Sequence, residues 1–176
     1  FVYHMTSRGS RFNPMAGGAP GKDSPEWLHT TNMNMRNFIR KWGTVVKHDK
    51  YMKPIIIPKY DIGFVIENEI SYQLLYDLEP WCSTIYGKYP KNMQTQFIHA
   101  EQEYTKINLN DRIKRFHEER TNDILIYFDT NKLTNQSFQY IQQFSEILSS
   151  DENLEVGKFE LDIFKISINH IKTYEK

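Results

Sequence analysis

The chain has 176 residues, of which 39% are hydrophobic and 25% charged, which is enough for one folded domain with an appended segment. Its 22 basic and 22 acidic residues balance, so the chain as a whole has no electrostatic attraction for nucleic acid or an anionic membrane. The single cysteine, Cys82, excludes an internal disulfide, and with the lack of a membrane-spanning stretch or signal peptide it predicts a cytoplasmic protein.

The segment 1–23 predicts a strand followed by a long loop. Phe1 to His4 has a strand-like composition, which indicates that the chain begins inside a structural element. The chain is then either a piece of something longer or a sequence whose start was trimmed. Thr6 to Asp23 is rich in Gly, Pro, Ser and Asn and has no apolar period, as expected for a loop. Loops of this length usually carry a function.

An amphipathic helix is predicted from about Asn32 to Trp42. Thr30 or Thr31 can cap its amino end, and Gly43 can end it. Its apolar residues fall on one stripe, which is typical of a helix that covers part of a core. The next segment, 44–58, ends in three isoleucines between two prolines and predicts an extended linker to a second unit.

The second unit is predicted to be built around a central strand, Tyr60 to Asn68. Ile62, Phe64 and Ile66 alternate along this strand, and Val65 makes its other side apolar as well. A strand that is apolar on both sides suits the middle of a sheet with helices on at least one face.

A helix and a region with two interpretations follow the central strand. Ser71 can cap a helix that Pro80 ends or kinks. Cys82 to Tyr86 fits either a bent continuation of this helix or a short strand. Asn92 can cap a further short helix that contains Glu101.

Two strands, Asp111 to His117 and Asp123 to Asp129, are predicted to form a hairpin around the polar turn Glu118 to Asn122. The second of them has a continuous apolar run and is predicted to be central in the sheet. Thr134 can then cap a helix that ends at about Leu148.

The last element, Glu155 to His170, predicts one long strand or two, and a change in its apolar phase indicates a bulge or bend near Ile163. The order of elements is typical of an α+β fold, a ferredoxin-like split βαβ sandwich with an antiparallel or mixed sheet and helices on one face. The predicted domains are 1–46, an irregular strand, loop and helix; 47–58, a linker; and 59–176, the α+β domain.

Polar side chains of the second unit have both a chemical and a structural interpretation. Asp61, Glu67, Asn68 and Glu69 place carboxylates at both ends of the central strand, where they could bind a metal or act as acid and base. Strand ends are also simply where carboxylates stay hydrated. The basic residues of segment 112–115 resemble an RNA-binding strand superficially, but an exposed face with alternating residues is the better interpretation.

The amino-terminal segment offers further candidates. His4 follows a strand-like triplet, where a neutral imidazole can bind a divalent metal, although taken alone it is better explained as a surface or structural histidine. Arg8 and Arg11 lie in a loop rich in Gly and Ser that could hold a diphosphate with guanidinium groups and backbone amides. Because this loop lacks the spacing of a P-loop, a solvated loop is the simpler explanation.

Two stretches, FVYHMTSR at Phe1 to Arg8 and NMRNFIRKWG at Asn34 to Gly43, together resemble the carboxyl-terminal end of the catalytic domain of family 2 (GT-A) glycosyltransferases. Those domains often finish with a strand, a histidine and Ser-rich loop, and a helix that ends in an aromatic-x-x-Lys-Trp-Gly pattern. Here that pattern is Phe38 to Gly43, and the resemblance covers about Phe1 to Val46.

The resemblance implies that His4 lies near the metal and diphosphate of a nucleotide-sugar and that the loop with Arg8 and Arg11 covers this donor. A divalent metal, Mn²⁺ or Mg²⁺, would be a cofactor only in a complete glycosyltransferase, because this sequence contains neither the nucleotide-binding half nor an Asp-x-Asp motif. Residues 1–46 are then a remnant of that catalytic domain, and the missing amino-terminal catalytic region is the expected partner.

The chain is therefore interpreted as the carboxyl-terminal fragment of a glycosyltransferase-related protein, not catalytic alone, with an accessory or docking α+β domain. The alternative is a stand-alone interaction module that forms homo-oligomers. An RNA-binding domain is disfavoured because the chain is electroneutral.

Overall fold

The computed structural model of the chain describes residues 25–151 and 153–174. The chain divides between Asn37 and Phe38 into two compact units. The described part of the first unit is helical throughout, and the second unit holds all the strands of the described residues. The domain boundary at 46 follows from the family resemblance and stays a prediction.

The first helix, α1, runs from Pro25 to Trp42 and is longer than the sequence predicts. Proline at the first helical position has a φ already suited to a helix, which allows the earlier start. Thr30 and Thr31 therefore lie inside the helix rather than at its cap. The predicted end is confirmed, because Gly43 has φ 74° and donates its N–H to the carbonyl oxygen of Ile39 at 2.7 Å.

Eight strands form two sheets within the described residues. They are β1 (Lys59–Tyr60), β2 (Ile62–Glu69), β3 (Thr84–Lys88), β4 (Ile113–Arg115), β5 (Ile124–Phe128), β6 (Gly157–Leu161), β7 (Phe164–Ile168) and β8 (Thr173–Tyr174). β1 and β8 form a small antiparallel sheet. The other six form one mixed sheet in the order β4-β3-β2-β5-β7-β6. β2 therefore lies inside this sheet, as the sequence predicts.

The predicted hairpin of Asp111–His117 with Asp123–Asp129 is wrong. β4 pairs in parallel with β3, and both β3 and β2 lie between β4 and β5. An alternating sequence determines which face a side chain takes, but it does not determine which strand becomes the neighbour. The α+β class with a mixed sheet is found. The ferredoxin-like arrangement is not confirmed, because β4, β3, β2 and β5 all run parallel.

Four further helices connect the strands: α2 (Tyr72–Leu78), α3 (Met93–Gln102), α4 (Leu109–Arg112) and α5 (Asn135–Ser150), with short 3-10 turns at Glu79–Trp81 and Thr130–Lys132. Two predicted caps are confirmed. The Ser71 hydroxyl accepts from the N–H of Leu74 at 3.3 Å, and Thr134 forms a capping box with Ser137. Asn92 precedes α3 but makes no side-chain cap bond. No helix in the described part of the chain is long and apolar enough to cross a membrane.

The structure decides two points that the sequence leaves open. Segment 82–86 does not continue α2, since its last residues belong to β3. The expected bend near Ile163 is a tight turn between β6 and β7, in which Asp162 has φ 54°. Leu161 and Phe164 pair across this turn.

The main core lies on one face of the six-stranded sheet, under the helices of the second unit. Alternate residues of the central strands point to this face. At its centre Phe64, Phe128, Phe144 and Phe164 form edge-to-face contacts with ring centroids 5.1 to 6.2 Å apart. Aromatic pairs favour this geometry because the positive ring edge meets the negative ring face.

The opposite face of the sheet has a smaller cluster formed by Val65, Tyr86 and Leu125. Phe116, from the segment that connects β4 to β5, packs against this cluster. The connecting segment 116–123 therefore covers the part of this face near β2 and β3. Towards β7 and β6, the side chains of the same face reach solvent.

Candidate functional site

The end of α1 is bound into the second unit through Arg40. Arg40 is only 1% exposed. Its Nε donates to both carboxylate oxygens of Glu79, at 3.1 Å to Oε1 and 2.9 Å to Oε2. Its Nη2 donates to Oε2 at 2.8 Å. Glu79 is fully buried and begins the 3-10 turn that follows α2. The stretch Phe38 to Gly43, with its aromatic-x-x-Lys-Trp-Gly pattern, therefore belongs to the same compact unit as the sheet.

A second guanidinium group completes this buried cluster. Arg112, the last residue of α4, donates from Nε to Oε1 of Glu79 at 2.7 Å and from Nη2 to the carbonyl oxygens of Glu79 and Cys82. Burial would raise the pKa of Glu79, but the charges of Arg112 and Arg40 and their hydrogen bonds hold that pKa below its ordinary value. Glu101 lies 3.7 Å from Arg40, so a second carboxylate also faces this guanidinium group.

Polar contacts also hold the carboxyl end of α1. The ammonium group of Lys59 donates to the carbonyl oxygens of Arg40 at 2.8 Å and Lys41 at 3.3 Å, where a cation opposes the negative end of the helix dipole. The Ser145 hydroxyl donates to the carbonyl oxygen of Gly43 at 3.4 Å. These contacts and the buried cluster fix the last turn of α1 against α5 and the start of β1.

An apolar cleft of about 310 Å³ opens beside this helix end. It is lined by Phe38, Trp42, Thr44, Val45, Val46, Lys47, Pro54, Ile55, Ile56 and Ile57. Val46, Ile55 and Ile56 are 53%, 49% and 77% exposed, so large aliphatic side chains face solvent near the ring of Trp42. Adjoining exposed apolar side chains of this kind mark interaction sites. We call this surface the Trp42 cleft.

A polar groove of about 490 Å³ lies on the open face of the sheet. It is lined by Glu67, Tyr127, Lys158, Phe159, Glu160, Lys165, Ile166 and Ser167. The strand register places Lys165 between Tyr127 and Glu160 in one row across the sheet, and it places Ser167 beside Lys158 in a neighbouring row. We call this surface the sheet groove.

Arg120 lies against Tyr127, one of the residues that line the sheet groove. Its guanidinium carbon lies 5.0 Å from the centroid of the Phe116 ring and 5.6 Å from that of Tyr127, within the range of cation–π attraction. Its Nε is buried, and within the described part of the chain it has no hydrogen-bond partner. With lysines, carboxylates and two hydroxyl groups among its lining residues, the groove can bind a polar molecule through hydrogen bonds.

The amino-terminal candidates, His4, Arg8 and Arg11, lie outside the described residues, and their roles as metal and diphosphate ligands stay predictions. Among the residues that the structure describes, no group of three or more His, Cys, Asp or Glu side chains is arranged to hold a metal ion.

The carboxylates predicted at the central strand do not form one cluster. Glu67 lines the sheet groove, and Glu69 is exposed. Asn68 instead binds Thr130: its amide nitrogen donates to the Thr130 hydroxyl at 2.7 Å, and its amide oxygen accepts from the Thr130 N–H at 2.8 Å. Asn68 therefore ties together the carboxyl ends of β2 and β5.

Asp61, at the opposite end of β2, belongs to a separate network. It accepts from Nδ2 of Asn122 at 2.7 Å, while the Tyr86 hydroxyl donates to Oδ1 of Asn122 at 2.9 Å. This network closes the amino-terminal edge of β2, β3 and β5. Asp61 therefore has a structural role in this network. It cannot act together with Glu67, because the length of β2 lies between the two side chains.

The basic residues of segment 112–115 take different positions. The predicted exposed face is wrong for Arg112, because α4 ends at this residue and its side chain is buried against Glu79. Lys114 lies 4.0 Å from Glu118, and Arg115 is exposed.

Sequence reasoning missed the pairing of Arg40 with Glu79. The only local signal was a charge inside an apolar stretch, since Glu79 stands between Leu78 and Pro80. A charge in such a position is buried only when a partner reaches it, and the partner lies 39 positions earlier in the chain.

These features define the second unit as a mixed α/β domain with a core on one face of a six-stranded sheet. The apolar Trp42 cleft and the polar sheet groove are separate surfaces of this unit, with no lining residue in common. No family model, no curated protein and no solved structure matches the chain.

Proposed function

We propose that residues 38–174 form an accessory domain of a glycosyltransferase-related protein and that the Trp42 cleft is the surface on which the catalytic region of that protein docks. In this proposal the domain holds the last helix of the catalytic region and does not itself transfer a sugar. The nucleotide-sugar and its divalent metal belong to the catalytic region, with His4, Arg8 and Arg11 as ligands there.

The observation that carries this proposal is the burial of Arg40 on Glu79. Arg40 lies within Phe38 to Gly43, the pattern that resembles the end of a GT-A domain, and its charge is paired inside the sheet domain. Removing that pattern would take from the buried Glu79 a guanidinium group that pairs with it, a costly loss for an ionised carboxylate. The helix end and the sheet domain are therefore expected to fold as one body.

The Trp42 cleft supports the choice of partner. Phe38 and Trp42 line it from the side of the glycosyltransferase-like helix, while Ile55 and Ile56 line it from the segment after the helix. A catalytic domain that ends in this helix must pack against it, and its apolar surface would cover these exposed side chains. Each Å² of apolar surface so covered contributes about 25 cal/mol.

The first test uses the protein as its source produces it. The proposal predicts an intact mass well above the 21.1 kDa of the present chain, with the additional residues ahead of Phe1. Hydrogen exchange of the amides in segment 44–57 should be slower in the longer protein than in this chain, and exchange in β7 should not change. A natural protein of 21.1 kDa, or equal exchange of segment 44–57 in both forms, would contradict the proposal.

A pair of matched variants tests the cleft itself. Ile56→Lys places a charge in the docking surface, whereas Met52→Lys changes a side chain of similar exposure, 76% against 77%, that does not line the cleft. In the longer protein, Ile56→Lys should restore fast exchange of segment 44–57, and Met52→Lys should not. Neither substitution should alter the thermal stability of the present chain, because both side chains are mainly in solvent. Equal behaviour of the two variants in the longer protein would exclude docking at the cleft.

A further inference from the structure

The strand β6 forms one edge of the six-stranded sheet. Its inner side pairs with β7, and no described strand pairs with its outer side. An edge strand presents unpaired N–H and C=O groups that can pair with another chain. We propose that a second copy of this chain pairs antiparallel with β6 about a two-fold axis at Phe159, so that two six-stranded sheets join into one. This proposal does not depend on the relationship to glycosyltransferases.

The β6–β7 hairpin determines which backbone groups face outward. Leu161 and Phe164 pair across the two-residue turn. The pair that closes a two-residue hairpin exchanges both backbone hydrogen bonds, and such residues alternate along an antiparallel strand. Phe159 therefore also bonds to β7, whereas Lys158 and Glu160 direct their N–H and C=O groups to the free edge.

The side-chain charges select one register for the second copy. In a symmetric antiparallel pair, the outward-facing residues must lie opposite each other to exchange hydrogen bonds. An axis at Lys158 would oppose two lysines, and an axis at Glu160 would oppose two glutamates. An axis at Phe159 places each Lys158 opposite Glu160 of the other copy, so both pairs are attractive. About four backbone hydrogen bonds then form across the joint.

The apolar side chains agree with this register. Phe159 is 40% exposed and would lie directly opposite its own copy, in the kind of cross-strand pair whose side chains come closest. Val156, which is 61% exposed, lies just before β6 and would flank the joint. Edge lysines usually prevent such pairing, but here Glu160 supplies the complementary charge that makes Lys158 compatible with self-association.

Pairing would also bring two binding surfaces together. Lys158 and Glu160 line the sheet groove, so the grooves of the two copies would meet across the joint. The joined sheet would then present one longer polar surface. Residues of the Trp42 cleft take no part in this joint, so the two proposed interactions use different residues.

Charge reversal tests the pairing. Lys158→Glu gives an edge with two glutamates, and Glu160→Lys gives an edge with two lysines, so each variant alone should dimerise about tenfold more weakly or not at all. Mixed together, the two variants are complementary again and should form a heterodimer. The measurement is sedimentation equilibrium of the full chain and of the mixture. Lys132→Glu, a change at an exposed lysine of the 3-10 turn after β5, is the control and should dimerise like the natural sequence.

Circular dichroism and thermal unfolding establish that each variant folds before its association is measured. The proposal requires a dimer of the natural sequence, weaker or no dimerisation of each variant alone, and recovery in their mixture. A natural chain that stays monomeric up to its solubility limit would overturn it. The proposal would also be overturned if both single variants dimerised as strongly as the natural sequence. The same holds if the two variants fold but do not associate when mixed.

Discussion

Arg40 and Glu79 form a bidentate ion pair between residues 39 positions apart, and neither side chain reaches solvent. The pair joins the last turn of α1 to the turn that follows α2. It places the helix end, Phe38 to Gly43, in the same compact unit as the sheet. Arg112 also donates to Oε1 of the same carboxylate, so one glutamate organises two arginines from different helices.

Replacing Arg40 by methionine should lower the free energy of unfolding by about 3 kcal/mol, because the buried Glu79 loses a guanidinium group that opposes its charge. Urea denaturation measures this change. Lys47→Ala is the matched control, since Lys47 and its partner Glu146 have side chains 38% and 27% exposed and such surface pairs contribute about 1 kcal/mol or less. Similar losses in both variants would mean that the buried cluster has no special role.

The stability of the chain should depend on the ionisation of Glu79. Its pKa in the folded chain is below the ordinary value of 4.5, so the folded state favours the carboxylate. The resulting stabilisation is complete above pH 4.5 and is lost as the pH falls through the folded pKa. Unfolding free energies of the natural chain and of Glu79→Gln should therefore converge as the pH falls. A difference that stays constant through this range would contradict the assignment.

Gly63 should not tolerate a side chain. A Cβ at Gly63 would lie 2.5 Å from Oδ1 of Asn122, a buried residue that binds Asp61 and Tyr86. Gly63→Ala is therefore expected to lower the free energy of unfolding by about 2 kcal/mol. At Gly157 the nearest atom lies at 3.5 Å, so Gly157→Ala is the control and should cost much less. Equal effects of the two substitutions would show that the contact with Asn122 is not tight.

Cys82 should be unreactive in the folded chain. Burial raises the pKa of its thiol to about 12, so almost no reactive thiolate forms near neutral pH. Labelling with iodoacetamide should proceed only as fast as the protein unfolds, and it should accelerate with urea in parallel with unfolding. Rapid labelling under native conditions would show that the region around Glu79 opens locally.

Several elements of this fold follow from local sequence. β2 and β5 are continuous apolar runs, and Ser71 and Thr134 make the caps that their residue types predict. The local sequence did not predict which strand lies next to β4, because strand order depends on contacts between distant parts of the chain. The early start of α1 also depended on Pro25, which can begin a helix as well as interrupt one.

The two candidate surfaces could be predicted from the sequence less well than the core. The sheet groove collects side chains from β2, β5, β7 and β6, so its composition depends on a strand order that the sequence does not state. Glu67 was recognised as a candidate, but Lys165 and Tyr127 were not. The sequence predicts an extended segment at 55–57, but it does not show that Ile56 is largely in solvent and lines the Trp42 cleft.

The central claim is that this chain holds an accessory domain and not a complete transferase. Calorimetric titration of the purified chain with UDP- and GDP-sugars in the presence of Mn²⁺ tests it most directly, with His4→Ala as the control. The account predicts no binding by either protein, because the proposal assigns the donor site to the catalytic region. Binding by the natural chain that is lost in His4→Ala would show that a donor site is present here and would contradict the account.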